Sequence, residues 1–409
     1  MTKASAHVCL VSPGFLATNP RLHKEAATLA RAGYRVTVVA QRAGALHAMR
    51  IDRDTLEGQP VALRAFHAGD RRAYLCGRIV QAALGWVERL GDYAPSGLLA
   101  RRHYALHGAL LERTLAQRAD LYIGHNLQAL PVVAAAAAYH GARYAFDVED
   151  LHVEELPDQP ENRRERALRA ALERRWLPGA AYVSAAAETY RPLLAERYGI
   201  NATTIRNVFP RHMAPAAPRA ATSPPTLSWV SQVIGPDRGL EPMLSVISHM
   251  RARPILRLRG RRLEPFASDL AARAERLGVR VEFNEPVAPF DLARVDADAS
   301  LCLGVEVGSS LNKLLAWSNK TFLSVLSGVP IALSTTPGQR ALIESLGAAA
   351  LAIDLHQPEA SAALLDAYLD DAPRQRDARA HAWRLGQDKL NWDCEESLLL
   401  ALVNSALRP

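Results

Sequence analysis

Residues 311–334, LNKLLAWSNKTFLSVLSGVPIALS, contain the pattern that decides the fold of this chain. Apolar residues recur at helical spacing, a Gly-Val-Pro elbow follows at residues 328–330, and a short apolar run ends the stretch. This pattern predicts a helix, a turn and a buried strand. Asn319 and Lys320 stand at the start of the predicted helix, where we expect side chains to face a ligand. Leu323, at the position where a carboxylate would suit such a ligand best, is apolar.

The same alternation of short apolar runs and amphipathic helical stretches extends along the whole chain. It predicts α/β domains with parallel, doubly wound sheets covered on both faces. A Pro- and Ala-rich stretch, residues 209–226, interrupts the pattern and is interpreted as a linker. We therefore expect Rossmann-like domains at residues 1–208 and 227–372, with a cleft between them as the default site. A helical tail, residues 373–409, is long enough to cross the domain interface.

The composition is that of a globular protein. The chain has 409 residues, of which 49% are hydrophobic and 22% charged, which suits two ordered domains. Its four cysteines form no CxxC pair, and its longest apolar run is too short to span a bilayer. We therefore expect a reduced cytoplasmic protein without structural zinc. The net charge of +7 favours anionic partners, but an aromatic content of 6% provides no stacking platform for nucleic acid bases.

The turns that follow the strands contain no phosphate-binding fingerprint. Neither GxGxxG after a strand nor GxxxxGK[ST] occurs, which argues against dinucleotide-dependent dehydrogenases and P-loop ATPases. The first β-α turn has Gly14 and then Asn19, a candidate helix cap before Pro20. Arg21 lies in the first helical turn, where a cation opposes the helix dipole, and this favours a ligand-facing role.

The corresponding turn of the second domain lies in VSQVIGPDRGLEPML. Gly235 begins the turn, and Arg238 stands at the start of the next helix. A bound diphosphate would account for a cation at that position, whereas a solvated arginine is the alternative.

Several motifs, taken together and in order, resemble bacterial glycosyltransferases of the retaining family 4 type. They span nearly the whole chain: PRLHKEAATLARAGYRVTVVA, GHNLQALP, FDVEDLHVEE, IRNVFP, DRGLE, SLNKLLAWSNKTFLSVLSGVPIALS and LNWDCEE. The resemblance implies the GT-B fold, with two Rossmann-like domains facing across a cleft. It also implies transfer of a sugar from a UDP- or GDP-type donor to a glycan or lipid-linked acceptor, without a cofactor and without a metal.

The resemblance assigns roles to residues of both domains. Arg238 and Lys320 match the cations that hold the donor diphosphate, a task that suits fixed positive charge because negative charge develops on the leaving group. We place the turns at Gly235 and Gly14 beside the same phosphates. His125, in GHNLQALP, matches a histidine beside the donor sugar, where it would hydrogen-bond to the sugar and the transition state.

An acidic cluster, FDVEDLHVEE, follows the next predicted strand. Its Glu149 and Asp150 match in part a His-Glu pair of the family. They are candidate catalytic residues that would orient an acceptor hydroxyl, and solvated carboxylates are the alternative. Asn19 and Arg21 are assigned to the acceptor side.

Leu323 departs from the family pattern, which has a glutamate that holds the ribose hydroxyls at this position. A leucine cannot accept their hydrogen bonds. Either other residues bind the sugar and ribose, or donor recognition is altered, or catalysis is lost. The candidates for the first option are Asn319, Ser324 and Glu306. If the leucine only weakens ribose binding, Leu323→Glu is expected to tighten nucleotide binding.

Two Asp-x-Asp tripeptides match a pattern that binds metal in unrelated transferases. They consist of Asp52 with Asp54 and of Asp296 with Asp298. Both lie in predicted polar turns, and we interpret them as turn residues and expect no metal.

The acceptor side of the sequence is less specific. Residues 71–118 predict two long helices that mix arginines with apolar faces, and these helices would either lie on the inner face of the membrane or be ordinary domain helices. Two other functions stay open. One is a GT-B protein without catalysis that binds a glycan or a partner, and the other is a nucleotide-sugar epimerase.

Overall fold

The computed structural model describes residues 6–16, 19–41, 60–66, 71–87, 93–288 and 291–408. The chain divides into two compact units. The first unit comprises residues 1–206 together with 396–409, and the second comprises residues 207–395.

The first unit is built on a parallel sheet that has seven strands among the described residues, in the order β3-β2-β1-β4-β5-β6-β7. The strands are β1 (His7–Phe15), β2 (Arg35–Gln41), β3 (Val61–Phe66), β4 (Leu121–His125), β5 (Arg143–Val148), β6 (Val183–Ala185) and β7 (Thr203–Thr204). The helices are α1 (Pro20–Arg31), α2 (Arg71–Ala83), α3 (Ser96–His103), α4 (His107–Leu115), α5 (Leu130–His140), α6 (Arg163–Trp176) and α7 (Arg191–Tyr198).

The strand order of the first unit reverses between β1 and β4. From β1 the chain proceeds outward to β3, and it returns to place β4 on the other side of β1. The central strands are apolar along their length because helices cover both faces, and every residue of β4 is buried. The reversal leaves the carboxyl ends of β1 and β4 side by side, which is where open α/β sheets bind their ligands.

The described part of the region before β4 contains three helices, α2, α3 and α4, so the expectation of two long helices was wrong. The pattern is broken at Pro95, the N-cap of α3, and again at Tyr104, whose extended backbone ends that helix.

The second unit is built on a parallel sheet of six strands within its described part, in the order β10-β9-β8-β11-β12-β13. They are β8 (Thr226–Ile234), β9 (Ile255–Arg262), β10 (Val281–Asn284), β11 (Leu301–Gly304), β12 (Ile331–Ser334) and β13 (Ala350–Ile353). The remaining helices of the chain are α8 (Leu240–Ser248), α9 (Phe266–Arg276), α10 (Leu292–Val295), α11 (Leu311–Leu315), α12 (Asn319–Leu326), α13 (Pro337–Leu346), α14 (Pro358–Leu369), α15 (Ala372–Asp388) and α16 (Trp392–Ala406).

Strand order in the second sheet reverses between β8 and β11, so the carboxyl ends of these two strands are the counterpart of the β1 and β4 ends. The Pro- and Ala-rich stretch that was expected to be a linker packs on this unit. Met213 is buried there, and the amide of Thr222 donates a hydrogen bond to the carbonyl of Asp298. In the part of the chain that the structure describes, no helix has both the length and the apolar character needed to cross a bilayer.

Candidate active-site clusters in the two units

The strand reversal of the first unit brings together Asn19, at the start of α1, and His125, the last residue of β4. Asn19 is the N-cap of α1, as predicted, and its Oδ1 accepts a hydrogen bond of 3.0 Å from the amide of Leu22. Pro20 is the first residue of the helix, which the sequence also indicated. Gly14 lies near the carboxyl end of β1, where its amide donates to Oγ of Ser12.

His125 is fully buried among three carboxylates. Its Nε2 lies 3.2 Å from Oε2 of Glu25, and its Nδ1 lies 3.1 Å from Oε1 of Glu149 and 3.6 Å from Oδ2 of Asp147. Burial alone would lower the pKa of His125, but the carboxylates of Glu25, Glu149 and Asp147 outweigh it and raise the pKa to about 10. His125 is therefore protonated at neutral pH and cannot serve as a general base there.

Glu149 is the member of this cluster that reaches solvent, with 21% of its side chain exposed. Its Oε1 also accepts a hydrogen bond of 2.8 Å from Nδ2 of Asn19. Burial would raise the pKa of Glu149, but the hydrogen bond and charge of His125, with Arg21 and Asn19, lower it to about 2. Glu149 is thus a fixed anion that can accept a hydroxyl hydrogen bond.

Arg21 lies in the interior, although the dipole argument placed it facing a ligand. Its guanidinium donates to both carboxylate oxygens of Asp147 and to the carbonyl of Ile205, at 2.6 Å for the last of these. Asp147 also accepts from Oγ of Ser184 at 2.5 Å. The donor set of Arg21 is used within the protein, so we do not retain the acceptor role that the sequence suggested for it.

Glu25 was missed at the sequence level. It is buried one helical turn after Arg21, and the two side chains are 3.7 Å apart. The available signal was the i, i+4 pair of opposite charges on the helix face that also carries Leu22, Ala26 and Leu29, which are all fully buried. When two residues of opposite charge lie on the apolar face of a helix, both side chains are expected to be buried and to pair with each other or with other buried groups.

Three of these groups have the proximity of a metal site. Ligand atoms of Glu25, His125 and Asp147 lie within 4.8 Å of one another. However, Arg21 already donates two hydrogen bonds to Asp147, and the carboxylate of Glu25 pairs with His125 at 3.2 Å. The donor chemistry of this cluster therefore fits internal ion pairing and does not fit a metal ion.

The rest of the acidic cluster after β5 faces other partners. Glu154 is buried and pairs with Arg166 and Arg197, whereas Glu155 pairs with Arg169 at 2.7 Å. Asp150 is half-buried in the bend that follows β5. Of the acidic residues in this motif, Asp147 and Glu149 are the ones beside His125.

In the second unit, the turn after β8 brings Arg238 beside the end of β11. Gly235 begins this turn, and Gly239 takes a positive φ of 74° and caps α8. A Cβ at Gly239 would lie 3.1 Å from the Cβ of Val305, so the turn packs on the residue that precedes Glu306. Arg238 is half-buried and donates a hydrogen bond of 3.1 Å to Oγ of Ser231.

Lys320 and Glu306 form an ion pair at the same strand reversal. Nζ of Lys320 lies 3.0 Å from Oε1 of Glu306, and it also lies 5.3 Å from the ring centroid of buried Trp229. Lys320 is the second residue of α12, and Glu306 follows β11. Among the described residues, no donor contacts Oε2 of Glu306, which is thus free for a ligand. Exposed Asn319 begins α12, and no side chain hydrogen-bonds to cap this helix.

Leu323 lies on the buried face of α12. It has 8% exposure and packs with Met213, Ala293 and Leu326, and Phe209 contributes to the same cluster. A glutamate at this position would lie against these apolar side chains on one side, while the other side of Leu323 lines a small cavity with Lys320 and Ser327. The segment at residues 209–214 thus packs against the position at which the sequence comparison expected a ribose-binding carboxylate.

Ser324 is also directed inward. Its Oγ donates a hydrogen bond of 2.6 Å to the carbonyl of Val329, and the residue is buried. Of the three ribose candidates, Glu306 and Asn319 are accessible to a ligand and Ser324 is not.

The second Asp-x-Asp tripeptide lies in a turn, as predicted. Asp296 binds Arg259 at 2.9 Å, and Asp298 binds Arg257 at 3.0 Å. The first tripeptide, Asp52 with Asp54, lies outside the described residues.

The first half of the chain resembles a known family in sequence, and the whole chain resembles solved structures in fold. Residues 17–211 match the model of the glycosyl transferase 4-like domain. The HepE protein of Anabaena, solved in complex with UDP and glucose, has a TM-score of 0.68 at 16% identity, with 98% of this chain and 100% of that chain covered. No curated protein matches the chain by sequence.

Two further solved structures share this fold. Sucrose-phosphate synthase of Thermosynechococcus elongatus has a TM-score of 0.70 at 13% identity and covers 98% of both chains. A UDP-forming α,α-trehalose-phosphate synthase of Burkholderia xenovorans has a TM-score of 0.67 at 14% identity, over 99% of this chain and 100% of that chain. At such identities the likeness shows the fold alone, and the GT-B fold that the sequence predicted is confirmed.

We predict that His125 gives the chain a pH-dependent stability. The pKa of His125 is raised from 6.5 to about 10, so its contribution is fully present below pH 6.5 and is lost as the pH rises through about 10. The melting temperature of wild type should therefore exceed that of His125→Gln most at low pH, and the gap should narrow towards pH 10. His249→Gln, at a histidine whose side chain is 42% exposed, is the control. A gap that stays constant across this pH range would contradict the assignment.

We predict that Leu323→Glu destabilises the second unit and does not improve nucleotide binding. The new carboxylate would be buried against Met213 and Phe209, at a cost of about 2 to 4 kcal/mol in the free energy of unfolding. Denaturant titration of the full chain measures this loss, and Leu323→Met, which keeps the volume and polarity, is the matched control. Unchanged stability together with tighter UDP binding would show that position 323 faces the ligand after all.

Proposed function

We propose that the protein is a glycosyltransferase, because residues 17–211 match the model of the glycosyl transferase 4-like domain. It transfers a sugar from a nucleotide diphosphate donor to a glycan or a lipid-linked acceptor. A UDP-linked donor is the first candidate, since the solved HepE structures contain UDP or UDP-glucose and the Burkholderia synthase is UDP-forming. Metal independence, retention at the anomeric carbon and a cytoplasmic location are parts of the same proposal.

The observation that carries the proposal is the cluster of cations at the strand reversal of the second sheet. Arg238 stands in the turn after β8, and Lys320 stands in the first turn of α12 beside the end of β11. Nζ of Lys313 donates to the carbonyl of Asp237 at 3.3 Å, which brings a third cation to the same turn. Cations at helix starts oppose the helix dipole, and a bound diphosphate compensates them.

This arrangement suits the departure of a nucleotide diphosphate. When the bond between the anomeric carbon and the diphosphate oxygen breaks, the electron pair goes to that oxygen, and negative charge develops there. Arg238 and Lys320 stabilise this charge by fixed electrostatics. The acceptor hydroxyl oxygen forms the new bond to the anomeric carbon, and its proton passes to the departing diphosphate or to solvent.

We assign the ribose contact to Glu306. Its Oε1 is held by Lys320 at 3.0 Å, which fixes the direction of the carboxylate. Its Oε2 can accept a hydrogen bond from a sugar hydroxyl. Glu306 would thus take over the task of the glutamate that is replaced by Leu323.

In the first unit, Glu149 is the group we assign to a hydroxyl of the sugar or the acceptor. Its lowered pKa of about 2 leaves it ionised at neutral pH, so it accepts hydrogen bonds there and does not donate a proton. His125 is a positioning residue, because both of its nitrogens face carboxylates and its positive charge keeps Glu149 ionised. Proton transfer by His125 is not part of the mechanism.

We predict that UDP and UDP-glucose raise the melting temperature of the chain and that Arg238→Ala weakens this effect. Loss of one charge-assisted contact costs about 1.5 to 3 kcal/mol, which corresponds to an affinity for UDP about 10- to 160-fold lower. Arg276→Ala is the matched control, since Arg276 is exposed at the carboxyl end of α9. GDP and TDP, tested in the same way, identify the base preference.

Binding of pyrophosphate distinguishes the diphosphate contact assigned to Arg238 from the ribose contact assigned to Glu306. Arg238→Ala should weaken pyrophosphate as well as UDP. Glu306→Gln should weaken UDP but leave pyrophosphate binding unchanged or tighter, because pyrophosphate has no ribose and Lys320 is released from its ion pair. Stabilisation by none of these nucleotides at millimolar concentration would overturn the proposed function.

A further inference from the structure

Helix α2 of the first unit presents an apolar face to solvent. Ile79 is 68% exposed, and Leu75 and Trp86 are each 50% exposed. Leu75 and Ile79 are four residues apart and share one face of the helix, and Trp86 lies in the turn that follows. Tyr74 and Val80 are exposed beside them. Such a concentration of large apolar side chains on a surface indicates a binding site.

The side of α2 that packs on the unit is small and polar. A Cβ at Gly77 would clash with the carbonyl oxygen of Ala105, so the two backbones are in direct contact. Buried Gln81, one turn later, donates a hydrogen bond of 3.2 Å from Nε2 to the carbonyl of Arg102. This is the reverse of an ordinary surface helix, whose apolar face is directed to the core.

The surroundings of this face are basic. The sequence of α2, RRAYLCGRIVQAA, has three arginines and no acidic residue. Neighbouring α3, SGLLARRH, has Arg101, Arg102 and His103 in its last turn and also no acidic residue. Arg78 and Arg101 are exposed. Apolar and aromatic side chains flanked by arginines match the interface of a bilayer that contains anionic lipids.

We propose that α2, with Trp86, is a membrane-surface helix that inserts its apolar side chains into the headgroup region of an anionic bilayer. Leu75, Ile79 and Trp86 supply the apolar contact, and Arg78 and Arg101 pair with lipid phosphates. A second copy of the chain fits this face less well, because a twofold interface would place the basic helix against itself without acidic partners. The helix lies on the membrane and does not cross it.

Vesicle sedimentation of the full chain tests this proposal. We expect binding to vesicles of phosphatidylcholine and phosphatidylglycerol in a two-to-one ratio, little binding to phosphatidylcholine alone, and weaker binding at high salt. The double variant Leu75→Ser with Ile79→Ser should lower the partition coefficient about tenfold or more. Arg78→Gln with Arg101→Gln should remove the preference for anionic vesicles.

The matched control is Leu364→Ser with Leu398→Ser, at leucines that are 37% and 41% exposed on other helices. It should bind vesicles as wild type does. Equal binding by the Leu75/Ile79 variant, or no binding of wild type to anionic vesicles, would overturn the proposal. A wild-type dimer that becomes a monomer in that variant would also overturn it, in favour of a second copy. Because no sugar nucleotide is present, failure here is distinguishable from failure of the proposed function.

Discussion

The first unit depends on the pair between Arg21 and Asp147, two fully buried charges. Two hydrogen bonds join the helix α1 to the strand β5, and the third donor group of Arg21 binds the carbonyl of Ile205. Buried charges are tolerated only when they are paired and hydrogen-bonded. With Arg21 and Asp147 paired, Glu25 and Glu149 contact His125 from two sides, and Glu149 is the partly exposed carboxylate of this cluster.

The charged groups of the second unit are less enclosed than those of the first unit, which leaves its cations available to a ligand. Lys320 is held near solvent by Glu306 and the ring of Trp229, without being neutralised by several partners. Leu323 packs with the segment around Met213 and lines a small cavity beside Lys320. The departure from the family pattern is therefore accompanied by local packing, and the accessible carboxylate of this region lies at Glu306.

Much of the fold could be predicted from the sequence, because parallel strands covered on both faces appear as continuous apolar runs. The cap at Asn19 and the helix start at Pro20 could also be predicted, since both depend on local geometry. The position of Arg21 could not, because its partner Asp147 lies 126 residues away along the chain. Glu306 and Lys320 were each named, but their pairing depends on how β11 and α12 are placed. The burial of Leu323 likewise depends on residues 209–214, which have the composition of a linker.

Amide hydrogen exchange in the presence and absence of UDP tests most directly whether the strand reversal of the second sheet binds the donor. The turn at residues 235–240 and the segment at residues 305–311 should gain protection, because both flank the ion pair of Lys320 and Glu306. The carboxyl end of α9 should not change, because it leads into the amino end of β10 and the site lies at the carboxyl ends of the strands. Protection that appears elsewhere in the second unit, with both segments unchanged, would contradict the location of the site.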